Sequence, residues 1–167
     1  MRKVTFKGQP VRILGAIPPV GEDAPYFKLT DTDLKDRNLK EFEGQTLVLN
    51  VFPSLDTPVC AASVRRFNEL AAGLDGVKVL AISRDLPFAH ARFCSTEGID
   101  RLINLSDYKT CDFGLVYGLE MTEGPLEKLL ARAVIVIKPN GKIGYVQVVP
   151  EITDEPDYED VMRYLKD

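Results

Sequence analysis

The sequence predicts an α/β fold with a mixed central sheet, flanking helices and an N-terminal β-hairpin, and three features carry that expectation. Two runs rich in β-branched and large apolar residues, Leu47–Phe52 and Val77–Ile82, are each followed by a segment of helical periodicity opened by a proline, Pro58 and Pro87. Strand, helix, strand, helix is the rhythm of parallel strands joined by crossover helices. Two later β-rich runs, Ala133–Ile137 and Ile143–Val149, flank Pro139, Asn140 and Gly141, an Asn-Gly hairpin signal. The 167 residues are 45% hydrophobic and show no shift in composition, which predicts one domain, residues 1–167, with a substantial core.

Taken in order, Val4–Phe6 and Val11–Ile13 flank Lys7, Gly8, Gln9 and Pro10, a hairpin expected to cover a sheet edge or one end of the core. The stretch through PPVGEDAP is irregular, and from Tyr26 to Leu39 the Asp, Asn and Thr content favours turns over a long element. Gly44 leads into Leu47–Phe52, which Pro53 ends by removing a backbone donor. Thr57 then holds the place of a helix N-cap, and Val64, Phe67, Ala71 and Leu74 give that helix one apolar face, with its end near residues 73–76. Val77–Ile82 closes on Ser83, Arg84 and Asp85, and the helix opened by Pro87 carries Phe88, Arg92, Phe93 and Cys94. A short strand at Leu102–Leu105 and a short helix at Phe113–Leu119 precede a break at Gly124 and Pro125. Pro156 starts a last helix on which Tyr158, Val161, Met162 and Leu165 share a face. Two parallel strands joined by a helix, then an antiparallel hairpin and a closing helix, is the order of a thioredoxin-like core.

A net charge of −4, with Lys and Arg dispersed among acids, argues against a nucleic-acid or anionic-membrane partner. The opening MRKVTFKGQPVRI has no apolar core of signal-peptide length, and no apolar run reaches membrane-spanning length, so a cytoplasmic protein is expected. Three cysteines, Cys60, Cys94 and Cys111, are an odd number at wide, unequal spacings. That fits neither a secreted disulfide framework nor a zinc site with close CxxC pairs. No metal, haem or flavin site is indicated, and no cofactor is expected.

Cys60 stands apart by position. Three residues after Thr57, it falls in the first turn of a helix, where free N–H groups and the helix dipole favour an anion and promote thiol ionisation. Ionisation alone does not make a fast enzyme. Lowering a thiol pKa from about 8.5 to about 6 raises the thiolate fraction at neutral pH roughly 30-fold, while a Brønsted slope near 0.45 takes back roughly 13-fold in nucleophilicity. Donors aimed at the charge developing on the leaving group must supply the rest.

The fragment PSLDTPVC satisfies PxxxTxxC, and with LDTPVCAASVRRFNE, ISRDLPFAHARFC, GPLEKLLARAVIVI and EITDEPDYE it resembles the thiol peroxidase subfamily of the peroxiredoxins over nearly the full length. The resemblance implies that Cys60 is the peroxidatic cysteine, that Thr57 helps to hold the peroxide, that Pro53 shields the thiolate and that Arg132 lies beside it. It implies Cys94 as the resolving cysteine, thioredoxin as electron donor, hydrogen peroxide and organic (lipid) hydroperoxides as substrates, and a homodimer. From the residues themselves, an Arg132 guanidinium near a thiolate would be favoured and would offer several fixed donors, against the plainer reading of a solvated charge. Thr57 could serve only as an N-cap, and Pro58 is read as helix punctuation. A resolving cysteine near the C-terminus is ruled out because the last cysteine is Cys111, and one five residues past Cys60 because Arg65 stands there. Cys111 remains a rival to Cys94. His90, the one histidine, is expected on a helix surface. A CxxC disulfide reductase is disfavoured because Thr57 and Ser63 occupy the positions three before and three after Cys60. A non-enzymatic peroxide-sensing module could use the same cysteine, and turnover separates it from an enzyme. A disulfide between cysteines on two helices would require the helix around Cys94, the first turn bearing Cys60, or both to unwind locally, with Arg84–Gly98 the better candidate.

Overall fold

The computed structural model describes residues 2–167. β1 (Arg2–Phe6) and β2 (Gln9–Ile13) form a separate antiparallel hairpin across a two-residue turn, Lys7 at φ 51° and Gly8 at φ 80°. Positive φ at both positions matches the right-handed strand twist, and Gly8 supplies it without cost. The remaining strands are β3 (Lys28–Asp31), β4 (Asp36–Asn38), β5 (Thr46–Val51), β6 (Val77–Ser83), β7 (Leu102–Ser106), β8 (Ala133–Ile137) and β9 (Ile143–Val148). They make one seven-stranded sheet in the order β4-β3-β7-β6-β5-β8-β9, with β5, β6 and β7 parallel and the other pairings antiparallel. The helices are α1 (Pro58–Ala71), α2 (Pro87–Glu97), α3 (Asp112–Val116) and α4 (Tyr158–Lys166).

Alternation along β5 assigns the two faces of the sheet. Leu47, Leu49 and Val51 join Leu80, Ile82, Ile135, Phe113 and the hairpin residues Val4, Val11 and Ile13. On the other face Val48, Val79, Val134 and Val136 pack against Phe67 of α1 and Val161 of α4. The hairpin therefore covers one end of the core, as expected. Its fastening comes from the far end of the chain: Thr5 donates its N–H to the Pro150 carbonyl at 2.8 Å, and the Glu151 carboxylate accepts from the N–H groups of Lys7 and Gly8 at 3.1 and 2.8 Å.

Several local expectations need correction. The stretch from Tyr26 to Leu39 contains the short strands β3 and β4, and a 3-10 turn follows at Leu39–Phe42. Polar strands survive there because β3 pairs with β7, and because Asp31 accepts from the N–H groups of Asp33 and Lys35 at 2.9 and 3.0 Å, fixing the turn. The Asn-Gly turn is the longer form with a bulge: Gly141 donates to the Lys138 carbonyl at 2.8 Å and alone takes positive φ, 83°. The last helix is capped by Asp157, whose carboxylate accepts from the Asp160 N–H at 3.0 Å, one residue past Pro156. Leu74 lies beyond the end of α1 at Ala71.

His90 is the largest departure. It is 1% exposed, because α2 turns Pro87 and His90 toward the sheet while Phe88, 67% exposed, faces outward. Its ring nitrogens meet Ser83 and Asn104 at 3.0 and 3.1 Å, so a polar residue occupies a core position that hydrophobic periodicity does not reveal.

Candidate active site

β5 delivers the chain to Phe52 and Pro53, both buried at the sheet's end, and a short loop leads to α1. Thr57 has the extended backbone of an N-cap, φ −100° and ψ 143°, but its side chain does not cap. Its hydroxyl donates to the Ser54 carbonyl at 2.9 Å, which leaves the oxygen lone pairs free to accept from a substrate. The N-cap-only reading of Thr57 is thus set aside: the backbone caps, the hydroxyl does something else. Pro58 takes the first helical position, where its missing N–H costs nothing.

Cys60 follows in the first turn and is 0% exposed. Arg132, immediately before β8, is 1% exposed and places Nη2 3.2 Å from the Cys60 Sγ. The solvated-charge reading of Arg132 is therefore incorrect. Its guanidinium is braced by one backbone group, the Ile152 carbonyl, which accepts from Nε at 3.0 Å and from Nη2 at 2.9 Å. Nη1 is buried with no partner. A buried guanidinium N–H without an acceptor is costly unless a ligand or water supplies one, and Arg132 is among the residues that line a pocket. The pocket, about 220 Å³, is bounded by Pro53, Thr57 and Arg132 near Cys60 and by Phe6, Val59, Leu126 and Ile152 around them. An oxygen entering it would meet the Thr57 hydroxyl and the Arg132 side chain, whose Nη2 lies on the buried Cys60 sulfur just behind the pocket wall.

Cys94 lies apart, half-buried on α2, and packs against the cluster of Phe52, Leu55, Cys60, Val64, Ala81 and Ile99. Burial pushes its thiol pKa up. Cys111 is outside that cluster, in left-handed backbone at φ 60° just before α3. All three cysteines are free thiols. The structure thus gathers Pro53, Thr57, Cys60 and Arg132 and sets Cys94 on a neighbouring helix. Sequence reasoning missed the Ile152 carbonyl, a backbone group with no residue signature, and Asp85, whose carboxylate accepts from Ser54 Oγ and the Leu55 N–H at 2.7 and 2.8 Å and so holds the loop before Thr57. Among the described residues no cluster of His, Cys, Asp and Glu could hold a metal ion, and no helix is long and apolar enough to cross a membrane.

Residues 19–162 match the Redoxin family. The chain is 47% identical over 165 residues to a thiol peroxidase of Corynebacterium glutamicum, covering 99% of each, and 49% identical over 160 residues to one of Leptospira interrogans, covering 95% of this chain and 94% of the other. A peroxiredoxin-like protein from Aquifex aeolicus superposes with a TM-score of 0.94 at 42% identity, over 99% of this chain and 96% of that one. The fold is thioredoxin-like, and the chain belongs to the Redoxin family as a peroxiredoxin of the thiol peroxidase type, a peroxidase.

Proposed function

We propose that the peroxidase works by a two-cysteine cycle. The Cys60 thiolate attacks the distal oxygen of a hydroperoxide ROOH; an S–O bond forms as the O–O bond breaks, and the departing oxygen takes a proton to leave as ROH. Cys60 is left as a sulfenic acid. Cys94 then attacks the sulfenic sulfur, water leaves, and the intramolecular disulfide is reduced to two thiols by a dithiol protein, thioredoxin. The observation that carries this reading is Arg132, with one donor on the Cys60 sulfur and another unspent beside the pocket. Charge building on the attacked and departing oxygens would be met by a fixed, desolvated cation. The shared apolar cluster supports Cys94 over Cys111 as partner. Peroxide consumption coupled to thioredoxin oxidation is the direct test, and purified protein that oxidises once but never cycles would favour the sensor reading. The thiol peroxidase relatives count against that alternative. A homodimer is part of the proposal and rests on the family resemblance; sedimentation tests the dimer.

Arg132→Ala should slow the reaction of Cys60 with peroxide by about 100-fold or more, the usual loss for one preorganised donor at a developing charge. The same variant should react with a small alkylating agent, at a pH where the thiolate is saturated, at nearly the wild-type rate. Equal losses with both reagents would mean that Arg132 acts through ionisation alone.

The largely apolar pocket wall supports organic hydroperoxides as substrates alongside hydrogen peroxide. Leu126→Ala should remove roughly 1 kcal/mol of contact with a bulky alkyl chain, which lowers kcat/KM for cumene hydroperoxide about 5-fold and barely alters that for hydrogen peroxide. A parallel fall for both substrates would show that Leu126 shapes the site and not its selectivity.

A further inference from the structure

We propose that Asp85 is a positioning residue that fastens the Cys60 loop and the Cys94 helix into one polar clasp, so that opening either segment loosens the other. Asp85 sits between β6 and α2. On one side its carboxylate accepts from Ser54 Oγ at 2.7 Å and the Leu55 N–H at 2.8 Å, both in the loop between Pro53 and Thr57. On the other it accepts from Ser83 Oγ at 2.5 Å. With its one proton given to Asp85, Ser83 can only accept from His90, so the imidazole carries its proton on Nε2 and donates across 3.0 Å. Nδ1 is then an acceptor, and the Asn104 amide donates to it across 3.1 Å. One continuous chain of hydrogen bonds therefore runs from Ser54 to β7 through the body of α2. His90 and Cys94 are four residues apart on that helix, on the same side.

The middle of the chain is closed to solvent. Ser83, His90 and Asn104 are buried, and Asn104 Oδ1 already lacks a partner. Withdrawing α2 takes the His90 donor from Ser83, which keeps its two bonds to Asp85, and leaves the Asn104 amide without its acceptor; withdrawing the loop strips Asp85 of two donors. Buried networks of this kind lose more when cut than their separate bonds suggest. A second proton on His90 would set a donor against the Asn104 amide. The charge bearing on the ring is Asp85 from the β6–α2 junction; Ser83 of β6, Asn104 of β7 and the Phe52 ring, 6.4 Å away, bring none. Burial outweighs the pull of Asp85 and holds the His90 pKa down, from the ordinary 6.5 to about 4. The stability that neutral His90 lends the closed clasp is thus present above pH 6.5 and is lost as pH falls toward 4. By linkage, opening should become about 4-fold more favourable at pH 6 and about 30-fold at pH 5 than above pH 7.

The clasp's role in turnover rests on the two-cysteine cycle, but its coupling is measured in reduced protein. Hydrogen exchange at residues 91–97 of α2 should rise about 5-fold in Ser54→Ala, although Ser54 Oγ touches Asp85 and the Asp56 N–H and not α2. In a Ser83→Ala background the same change should add nothing. His90→Gln retains a donor for Ser83 and an acceptor for Asn104 and cannot titrate, so the acid-promoted opening seen in wild type should vanish. An effect of Ser54→Ala confined to residues 52–58, or an unchanged pH profile in His90→Gln, would overturn the clasp. Failure of wild type to form a Cys60–Cys94 disulfide with peroxide, read by mass, would instead overturn the two-cysteine cycle, and the exchange data would still decide the clasp.

Discussion

Cys60→Ser is expected to abolish hydroperoxide turnover, with a loss on the order of 10⁴-fold or more. The substitution changes one atom at a position that is 0% exposed, so packing of Phe52, Leu55 and Val64 around it is kept. What is lost is chemistry. A serine hydroxyl stays protonated at neutral pH and has no stable counterpart of the sulfenic acid, so neither the attack on the O–O bond nor its product is accessible. Arg132 would still offer Nη2 to the oxygen, which makes the variant a test of the sulfur and not of its surroundings. Thermal unfolding should confirm an intact fold, and retained turnover in such a protein would remove Cys60 from the nucleophile's role.

Cys94→Ser should separate the half-reactions. One fast oxidation of Cys60 should remain, because Cys94 takes no part in the pocket formed by Pro53, Thr57 and Arg132. Thioredoxin-supported cycling should fall to background, because the sulfenic acid has lost its internal partner. Stopped-flow mixing with one equivalent of peroxide reads the first event, and steady-state NADPH consumption through thioredoxin reductase reads the second. A disulfide needs Cα atoms about 4.4 to 6.8 Å apart, and Cys60 and Cys94 sit on separate helices, the shorter of which is α2. Opening of α2 is therefore part of the expected second step. Steady cycling that survives in Cys94→Ser and disappears in Cys111→Ser would transfer the resolving role to Cys111.

The parts of this arrangement that were legible in the sequence are those where local chemistry and tertiary structure agree. A strand stopped by Pro53 and a helix opened by Pro58 put Cys60 in a first turn before any contact is known, and the turn residues around Gly8 and Gly141 mark both hairpins. The parts that were hidden are polar groups whose meaning depends on distant partners. β3 and β4 read as turns because KLTD and DRN carry little apolar signal, and only pairing of β3 with β7, and of β4 with β3, makes them strands. Arg84 read as the close of a strand, whereas its side chain is largely covered and bridges Asp107 at 3.1 Å and Glu120 at 2.7 Å. His90 was misplaced for the same reason, since a buried imidazole between a serine and an asparagine leaves no trace in a helical period. Arg132 could be flagged as a cation near a thiolate, but its brace, the Ile152 carbonyl, belongs to no side chain.

The fastening of the N-terminal hairpin to Pro150 and Glu151 also sets an order of events during synthesis. Thr5 and Glu151 are 146 positions apart, and Arg132 finds its carbonyl 20 positions later, at Ile152. A chain growing at about 5 to 20 residues per second thus carries Cys60 for several seconds before either contact exists. Over that interval the sheet strands β5, β6 and β7 can pair, but the pocket has neither its hairpin wall nor a braced cation. Peroxide reactivity is therefore among the last properties the nascent chain acquires, and a ribosome-stalled chain ending before residue 150 would hold its cysteine without the means to use it.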